Sequence, residues 1–385
     1  MKVLHVITGL SSGGAEMMLY KLLSSSSCNR FESVVVSLVT GGSLSARIRE
    51  LGIPVYTLGM RRAYPSLIAL WQLIWLIKKI QPDVIQGWMY HANIAVSVAC
   101  MIVRRKMPVA WGIHHSLDDI RNEKMSTALI IKMGRCVSRY PAKIIYCSKK
   151  SSEQHHEFGY TSEQALVIPN GFDTDHFKPS QEAGLTLRDS LQIGKDTILI
   201  GLIARYHPMK DHENFFRAAK LLNEENDNVH FLLAGQEISP NNAALVGMIQ
   251  RYNLGRRAHL LGEQRDIVKI IAGLDIASLS SSHGEAFPNV IGEAMACGVS
   301  FAATDVGDSA WIIGKTGRAV PPRNPHALAQ AWAELIEMGA EQRRQMGQVA
   351  RARIVQSFSI ASVSAQYERV YQELLKQPAS NRISA

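Results

Sequence analysis

Two carboxylates flank the start of a predicted helix in the second half of the chain. Glu285 and Glu293 lie eight positions apart in the stretch HGEAFPNVIGEAMACG. Proline favours the first helical position, so we expect a helix to begin at about Pro288. Free amide groups of residues 289–291 at that helix end would favour an anionic phosphate. One carboxylate could then hold a sugar beside the phosphate and the other a vicinal diol such as ribose. The alternative is an ordinary loop-to-helix junction with one capping carboxylate.

Two cations lie on either side of the turn YHPM. Arg205 ends the predicted strand TILIGLIAR, and Lys210 follows the turn. Both should project from one loop at the carboxyl edge of a sheet. Arginine offers phosphate a planar fork of donors and lysine a point charge, so the pair could neutralise a diphosphate leaving group. The alternative is a pair of solvated surface charges.

A pair of histidines ends the predicted strand PVAWGIHH. His114 and His115 precede the sequence SLDD, so a metal site with Asp118 or Asp119 is one interpretation. No third ligand has suitable spacing, which makes a metal site the weakest of the alternatives. A structural histidine remains open, and a histidine that faces a substrate is the interpretation we favour.

A glycine-rich loop follows the first predicted strand, residues 2–8. The sequence GLSSGGAEMMLYKLL places Gly13 and Gly14 directly before a helical pattern. A strand, a glycine-rich loop and a helix form an element that can approach a phosphate. The spacing does not match GxGxxG, which argues against a dinucleotide site. A plain tight turn is the alternative.

Strands and helices alternate along both halves of the chain. This alternation predicts parallel, doubly wound α/β sheets, and a length of 385 residues suggests two domains. Residues 170–185 lack periodicity and are predicted to form the linker. Ligands of such sheets bind beyond the carboxyl ends of the strands, so the glycine loop and the two histidines should share one rim.

The net charge of +9 is unevenly distributed. Residues 1–180 contain 21 Lys and Arg against 12 Asp and Glu, whereas residues 181–385 contain 21 of each. The basic half could face nucleic acid, an anionic membrane or a phosphorylated substrate.

Five cysteines without CxxC spacing indicate a reduced cytosolic chain and no disulfide framework or zinc site. The apolar start of the sequence is too short for a signal peptide, and the longest apolar run, Leu67–Ile77, is too short for a membrane span.

Two tryptophans lie one turn apart on the predicted helix SLIALWQLIWLIKKI. Trp71 and Trp75 could pack on the sheet, which we favour, or could lie on a membrane. Basic residues that would suit anionic lipid lie nearby; these are Arg61, Arg62, Lys78, Lys79, Arg104, Arg105 and Lys106.

Taken together, these motifs resemble a known family. EAFPNVIGE matches the E-x7-E pattern of retaining GT-B glycosyltransferases, and the chain more narrowly resembles glycosyltransferase family 4, which includes bacterial lipopolysaccharide and exopolysaccharide enzymes. The resemblance covers nearly the whole chain. The matching segments, in order, are GLSSGGAE, VIPNGFDTDHF, ARYHPMKDHENFFRAA, LLGEQRDI, EAMACGV and TDVGDSAWIIGKTGRAVPPRNP.

The resemblance implies roles for individual residues. Arg205 and Lys210 match the pair that binds the donor diphosphate, Glu285 the glutamate that contacts the donor sugar, and Glu293 the one that holds the ribose hydroxyls. His114 matches the active-site histidine, although His115 is not excluded. The remaining matches are Gly14 in the loop that approaches the donor, the amides near Phe287, Asn289 and Val290, and Gln264 where the base lies.

The resemblance also implies the fold and the reaction. It predicts an α/β GT-B fold with two Rossmann-like domains facing across a cleft, residues 1–175 and 186–355, and a terminal segment 356–385 that crosses back to the first domain. The expected reaction moves a sugar, with retention, from a nucleotide diphosphate sugar to a hydroxyl of a glycan or lipid-linked acceptor in cell-surface polysaccharide synthesis. A UDP-sugar is favoured over a GDP-sugar.

No metal is expected, because cations already neutralise the diphosphate. No cofactor and no nucleic acid partner is expected either. The expected location is the cytoplasm, with peripheral contact to anionic lipid on the inner face of the membrane. Two alternatives remain: a GT-B-like sugar-nucleotide epimerase and a non-catalytic sugar-nucleotide-binding protein.

Overall fold

The computed structural model of the chain describes residues 1–11, 13–25, 31–60, 66–104 and 107–376. Within these ranges the chain forms two compact units. Met1–Gly171 and the described helix that begins at Ile360 make up the first unit, and Phe172–Ser359 make up the second. The sequence instead predicts that the first domain ends at 175 and that the terminal segment begins at 356.

The first unit is built on a parallel sheet. Its described strands number seven, in the order β3-β2-β1-β4-β5-β6-β7, and each neighbouring pair is parallel. The strands are β1 Lys2–Ile7, β2 Glu32–Val39, β3 Val55–Met60, β4 Val84–Trp88, β5 Val109–Ile113, β6 Lys143–Tyr146 and β7 Ala165–Val167. The helices are α1 Gly14–Ser24, α2 Leu44–Glu50, α3 Leu67–Ile80, α4 Tyr90–Val103, α5 Met125–Val137, α6 Lys149–Glu157 and, at the end of the chain, α15 Ile360–Lys376.

The second unit repeats this plan. Its six described strands are parallel in the order β10-β9-β8-β11-β12-β13. The strands are β8 Ile198–Ile203, β9 Val229–Ala234, β10 Ala258–Leu260, β11 Ile276–Leu279, β12 Ser300–Thr304 and β13 Arg318–Val320. The helices are α7 Gln181–Leu191, α8 His212–Glu225, α9 Ala243–Arg251, α10 Ile267–Ala272, α11 Asn289–Ala296, α12 Ser309–Ile313, α13 Pro325–Glu337 and α14 Gly339–Phe358.

The strand order of each sheet reverses once, and this reversal positions the loops that carry chemistry. In the first sheet the chain runs outward in one direction from β1 and in the other from β4; in the second sheet the corresponding pair is β8 and β11. The loops after two such strands turn away from each other and leave a crevice at the carboxyl edge, which is where doubly wound sheets bind ligands. The central strands are buried throughout, as in β4 and β5, because helices cover both faces of the sheet.

The last helix belongs to the first unit through aromatic contacts. The ring of Tyr367 on α15 stacks on Trp88 at a centroid distance of 5.9 Å. The hydroxyl of Tyr371 on the same helix donates to Oε1 of Gln86 in β4. Both tyrosines are buried, and they join a core formed with α1 and α2 on one face of the sheet. Helices α3, α4 and α5 build a separate core on the other face.

Some sequence predictions of local structure are wrong. The predicted linker 170–185 contains the start of α7, where the hydroxyl of Ser180 caps the helix by accepting from the amide of Ala183. The sequence pattern of residues 121–140 predicts one helix, but a 3-10 turn, Ile120–Asn122, precedes α5 and the helix is shorter. Helix α12 and strand β13 were not predicted; they are only five and three residues long and carry little periodicity.

The outer face of α3 carries exposed aromatic side chains. Trp71 is 66% exposed and Trp75 is 57% exposed. The stripe that faces the sheet contains Ala69, Leu73 and Leu76, on the opposite side of the helix. The prediction that the tryptophans pack in the core is therefore wrong.

Not all of the basic residues grouped with these tryptophans can be located. Lys78, Lys79 and Arg104 are exposed. Arg61, Arg62, Arg105 and Lys106 lie outside the described residues. Among the helices of the described ranges, none is both long and apolar enough to span a bilayer.

Buried His155 should make the stability of the first unit depend on pH. Its Nδ1 donates to the carbonyl of Ser151 at 2.7 Å, so Nε2, which lies 2.8 Å from the hydroxyl of Tyr90, must accept. Burial lowers the pKa of His155 from 6.5 to about 4, and the charges of His115 and His156 add to this while the bond to Ser151 opposes it. The folded unit therefore keeps this ring neutral where the unfolded chain takes up a proton.

We predict that stability is lost as the pH falls from 6.5 towards 4, with a contribution from His155 of about 1.4 kcal/mol per pH unit. Urea unfolding followed by circular dichroism measures this slope. His155→Gln should be less stable at pH 7 but should show a shallower slope, whereas His326→Gln, at an exposed position, should keep the wild-type slope. Equal slopes for wild type and His155→Gln would contradict the assignment.

Candidate active site

The crevice between β8 and β11 in the second unit gathers the predicted phosphate-binding residues. Arg205 follows the end of β8, and the next residues form a 3-10 turn, Pro208–Lys210. Asp211 then caps α8 by accepting from the amide of Asn214 at 3.1 Å. This cap ends the loop sharply and fixes where Lys210 leaves the backbone. Arg205 is exposed, and no carboxylate of the described residues pairs with it.

Lys210 and Glu285 form an ion pair at the carboxyl edge of the sheet. Nζ of Lys210 donates to Oε1 of Glu285, and the hydroxyl of Ser281 donates to the same oxygen at 2.6 Å. The Lys210 side chain is 16% exposed and the Glu285 side chain 10%. Neither donor reaches Oε2, and a lysine ammonium has two further N–H donors. The pair is therefore held in place and still keeps hydrogen-bonding capacity for a ligand.

Further hydrogen bonds lock the two loops together. The hydroxyl of Ser280 donates to the carbonyl of Lys210 at 2.8 Å, and the amide of Ser282 donates to the carbonyl of Met209 at 2.8 Å. The hydroxyl of Thr304 in β12 donates to the carbonyl of Ser281 at 2.6 Å. These hydrogen bonds hold the loop after β8 and the loop after β11 in a fixed position relative to each other.

Gly307 lies directly against the backbone of the loop that carries Glu285. A Cβ atom at Gly307 would lie 2.4 Å from the carbonyl oxygen of Glu285, and its φ of +62° is one that side-chain-bearing residues rarely adopt. Only glycine therefore fits beside the backbone of Glu285.

The electrostatic field around the loop is positive. The pKa of His207 is lowered by its partial burial and by the positive charges of Arg205, His283 and Lys210. The backbone amide of Met209 donates to Nδ1 of His207 at 3.3 Å, which also favours the neutral ring. Charges that repel a proton on His207 attract an anion to the same place, which suits a phosphate group.

Helix α11 begins one residue later than predicted. Pro288 is the N-cap, with an extended backbone, and the first helical residue is Asn289. The amide of Ile291 donates to the carbonyl of Pro288 at 3.2 Å, so the prediction that this amide is free is wrong. Glu293 lies in the second turn and is partly exposed. Although the Ile291 amide is bonded, the start of α11 at Asn289 and Val290 remains the positive end of the helix dipole, and it lies at the crevice.

The side chain of Phe287 is part of the core. Its ring stacks on Phe172 at 6.0 Å and packs against Trp311 and Phe358. Only the backbone of Phe287 is therefore placed to meet a ligand. These aromatic contacts fix the position of the loop that carries Glu285.

Gln264 lies in the loop after β10, beside the same edge of the sheet. Its side-chain amide donates to the carbonyl of Leu261 at 2.5 Å, and Gly262 between them has a φ of +73°. The local bond holds the loop in a tight turn and engages the Gln264 side chain. A contact to a planar base would therefore come from the backbone.

In the first unit, His114 rather than His115 has a free acceptor. Nδ1 of His114 lies 3.1 Å from Oδ1 of Asn170, and because this oxygen can only accept, Nδ1 carries the proton. The ring stacks on Trp88 at 5.3 Å. Burial lowers the pKa of His114 to about 4, against the effect of the bond to Asn170. Nε2 is buried, unprotonated and without a partner among the described residues, so it can accept a hydrogen bond.

His115 is occupied in another interaction. Its Nε2 lies 2.7 Å from Oε1 of Glu123, and this bond lowers the pKa of that carboxyl. Asp118 accepts from the hydroxyl of Ser116 at 3.1 Å and from the amide of Gln154. Across the described ranges, no three His, Cys, Asp or Glu side chains are grouped so that they could hold a metal ion.

Gly14 is the first residue of α1, at the carboxyl end of β1. It is exposed, and a Cβ atom placed there would meet nothing within 4 Å. The fold itself therefore does not require glycine at this position. Space at the start of a helix is what a phosphate group would need.

Sequence reasoning did not identify the hydroxyls that position Glu285. Ser280, Ser281 and Thr304 are buried. The bonds from Ser280 to Lys210 and from Thr304 to Ser281 join residues that are far apart in the chain, whereas Ser281 and Glu285 are only four positions apart. The one available signal was the serine run in SLSSS at the end of a predicted strand. Gly307 carried no pattern that distinguished it from other loop glycines.

Two family models match the chain. The family described as "Glycosyltransferase Family 4" matches residues 12–176, and the family described as "Glycosyl transferases group 1" matches residues 185–353. The chain is 27% identical over 228 residues to N-acetyl-alpha-D-glucosaminyl L-malate synthase of Bacillus anthracis, which covers 57% of this chain and 58% of that relative.

A second relative matches more of the chain. It is the N,N'-diacetylbacillosaminyl-diphospho-undecaprenol alpha-1,3-N-acetylgalactosaminyltransferase of Campylobacter jejuni, 23% identical over 309 residues, with 77% of this chain and 79% of the relative covered.

The fold is also similar to that of solved structures. Anabaena Alr3699/HepE, crystallised in complex with UDP, superposes with a TM-score of 0.84 over 97% of this chain and 100% of that chain, at 22% identity. Such low identity shows the fold alone. With the two family matches and the two parallel α/β units, it leads to one conclusion: the chain belongs to the family 4 glycosyltransferases and is a glycosyltransferase with the GT-B fold.

Proposed function

We propose that this glycosyltransferase moves a sugar, with retention of anomeric configuration, from a UDP-sugar to a hydroxyl of a glycan or lipid-linked acceptor in cell-surface polysaccharide synthesis. The observation that carries the proposal is the Lys210–Glu285 pair, which puts a cation and a carboxylate together at the switch point of the second sheet. A donor of this class has an anionic diphosphate directly beside a polyhydroxylated sugar, and the pair offers one partner for each.

Arg205 and Lys210 bind the diphosphate in this proposal. Lys210 keeps two N–H donors while it holds Glu285, and Arg205 has its whole guanidinium available. As the bond to the sugar breaks, negative charge develops on the departing phosphate. Each preorganised donor aimed at such a charge typically stabilises the transition state by about 3–4 kcal/mol. The amides of Asn289 and Val290 at the start of α11 add to this field.

The carboxylates hold the hydroxyl groups of the donor. Oε2 of Glu285 accepts from the sugar, because Oε1 already accepts from Ser281 and Lys210. Glu293 accepts from the ribose hydroxyls, and the backbone around Gln264 meets the base. The first unit offers two groups of its own: Gly14 leaves space for a phosphate group at the start of α1, and unprotonated Nε2 of His114 can accept from a hydroxyl.

Retention follows in this proposal from a reaction on one face of the sugar. The departing phosphate oxygen takes the proton of the acceptor hydroxyl while the new glycosidic bond forms on the side that the phosphate leaves. The cations neutralise the diphosphate, so the proposed reaction needs no metal ion. The C. jejuni relative, named for a diphospho-undecaprenol substrate, supports a lipid-linked acceptor, and the UDP complex of HepE supports a uridine donor.

A panel of UDP- and GDP-sugars with acceptor extracts tests the function. We expect one UDP-sugar to give free UDP and a glycoside of unchanged anomeric configuration, measured by mass spectrometry and NMR, and the activity should survive exhaustive EDTA treatment. An inverted glycoside, or activity that chelation abolishes and magnesium or manganese restores, would refute those parts. Epimerised sugar without glycoside would instead indicate an epimerase, and binding without turnover a non-catalytic protein.

Substitution of the two cations separates their chemical role from their structural role. Arg205→Ala should lower the rate about 10²–10³-fold without loss of stability, because Arg205 is exposed and unpaired in the described structure. Lys210→Ala should lower the rate by a similar factor and also destabilise the second unit, because Glu285 loses its buried counter-ion. Single-turnover kinetics and thermal unfolding measure the two effects.

Arg256→Ala, which replaces an exposed arginine of the same unit, is the matched control and should change neither the rate nor the stability. Near wild-type turnover in both site variants would rule out the diphosphate role.

A further inference from the structure

We propose that the outer surface of α3, α4 and α5 docks on an anionic phospholipid bilayer, and that its apolar side chains enter the lipid. Of the sixteen large hydrophobic side chains that are exposed among the described residues, ten lie on these three helices. We call this surface the α3–α5 face. It consists of Leu67, Ile68, Trp71, Trp75, Val98, Met101, Ile102, Met125, Leu129 and Met133.

The ten side chains share one side of the first unit. Helix α4 packs against α3 on one side and against α5 on the other. The inner residues of all three helices enter the same core on one face of the sheet, for example Leu73, Val96 and Ile131. The opposite sides of these helices therefore all point away from the sheet, and they form a continuous layer.

The spacing of the exposed residues suits helices that lie flat on a surface. Leu67, Trp71 and Trp75 follow one another at intervals of four along α3, and Met125, Leu129 and Met133 do so along α5. Residues at this spacing form one stripe on a helix. Met125 is 90% exposed and Leu67 is 77% exposed, so the stripes lack any cover within the described chain. Tryptophan, methionine and leucine are side chains that enter the interfacial region of a bilayer.

The charges on the same helices have one sign. Helices α3, α4 and α5 contain no Asp or Glu. Lys78 and Lys79 lie in the last turn of α3, Arg104 follows α4, and Lys132 and Arg135 lie on α5; all five are exposed. The ammonium of Lys79 lies 4.8 Å from the ring centroid of Trp75, so a cation accompanies the apolar stripe directly. Cations beside an apolar layer match the phosphate groups and acyl chains of an anionic lipid surface.

The charge pattern favours lipid over a second copy of this chain. In a symmetric dimer the same patch would face itself, which would bring cations of the two copies together, and helices α3, α4 and α5 offer them no carboxylate. A bilayer with anionic headgroups removes that repulsion.

Vesicle binding tests the proposal without donor or acceptor, so its outcome is independent of the proposed sugar transfer. The purified full chain should co-sediment with phosphatidylglycerol–phosphatidylcholine vesicles at low salt, bind weakly to pure phosphatidylcholine, and dissociate as salt rises. Trp71→Gln with Trp75→Gln should weaken binding about tenfold or more. Lys78→Glu with Lys79→Glu should weaken binding to the anionic vesicles alone.

A matched control keeps the test specific. Val349 and Val355 are exposed apolar residues on α14, 58% and 43% exposed, and Val349→Gln with Val355→Gln should leave binding unchanged.

Phospholipids brominated on the acyl chains should quench wild-type tryptophan fluorescence. Trp71→Phe with Trp75→Phe should still bind but should lose this quenching. Of the other four tryptophans, Trp88, Trp111 and Trp332 are fully buried, and Trp311 packs against Phe287 and Phe358 in the second unit.

Three results would overturn the proposal. One is the absence of binding to anionic vesicles at low salt. Another is equal binding by wild type and the Trp71→Gln, Trp75→Gln variant, with circular dichroism showing both folded. The third is a wild-type dimer in sedimentation that this variant converts to a monomer, which would assign the face to a second copy of the chain.

Discussion

The candidate site depends on one buried ion pair between Lys210 and Glu285. The two residues belong to loops that follow adjacent strands, β8 and β11, and the pair connects these loops where the strand order reverses. Removing one member of such a pair typically destabilises a protein by about 3–5 kcal/mol, because the other charge is left without a partner. A pair of this kind holds its geometry before any ligand arrives.

The surroundings of the pair explain why it is also suited to bind a ligand. Ser281 and Lys210 both donate to Oε1 of Glu285, so the carboxylate is oriented and its other oxygen keeps capacity to accept. Gly307 lets the neighbouring loop approach the backbone of Glu285, and the aromatic packing of Phe287 fixes the same loop from the core. Preorganised groups of this kind need little rearrangement when charge develops in a reaction.

Much of this arrangement could be predicted from the sequence, because it follows from local pattern. Alternating strands and helices predict two parallel sheets, and the position of Arg205 and Lys210 after a strand places them at the carboxyl edge. Glu285 is predicted only to precede a helix. The ion pair could not be predicted, since its members are 75 positions apart and only the strand order brings them together. The choice between His114 and His115 likewise depends on a partner, Asn170, from a distant loop.

Helical periodicity could not predict which side of α3 faces the sheet. It correctly placed Trp71 and Trp75 on one side of α3, but it could not tell which side of the helix faces the sheet. Since α3 is apolar on nearly all sides, a stripe on the core side and a stripe on the outer side have the same spacing. The structure resolves this ambiguity, and the exposed tryptophans become the basis of the proposed α3–α5 docking face.

We propose that Arg205 and Lys210 recognise the diphosphate of a nucleotide sugar, with Lys210 held in place by Glu285. Calorimetric titration with the nucleoside diphosphate and the nucleoside monophosphate of the accepted donor measures this most directly. We expect the wild-type protein to bind the diphosphate about tenfold or more tightly than the monophosphate, and we expect this preference to shrink in Arg205→Ala. Equal affinity of the wild-type protein for the two nucleotides would contradict it.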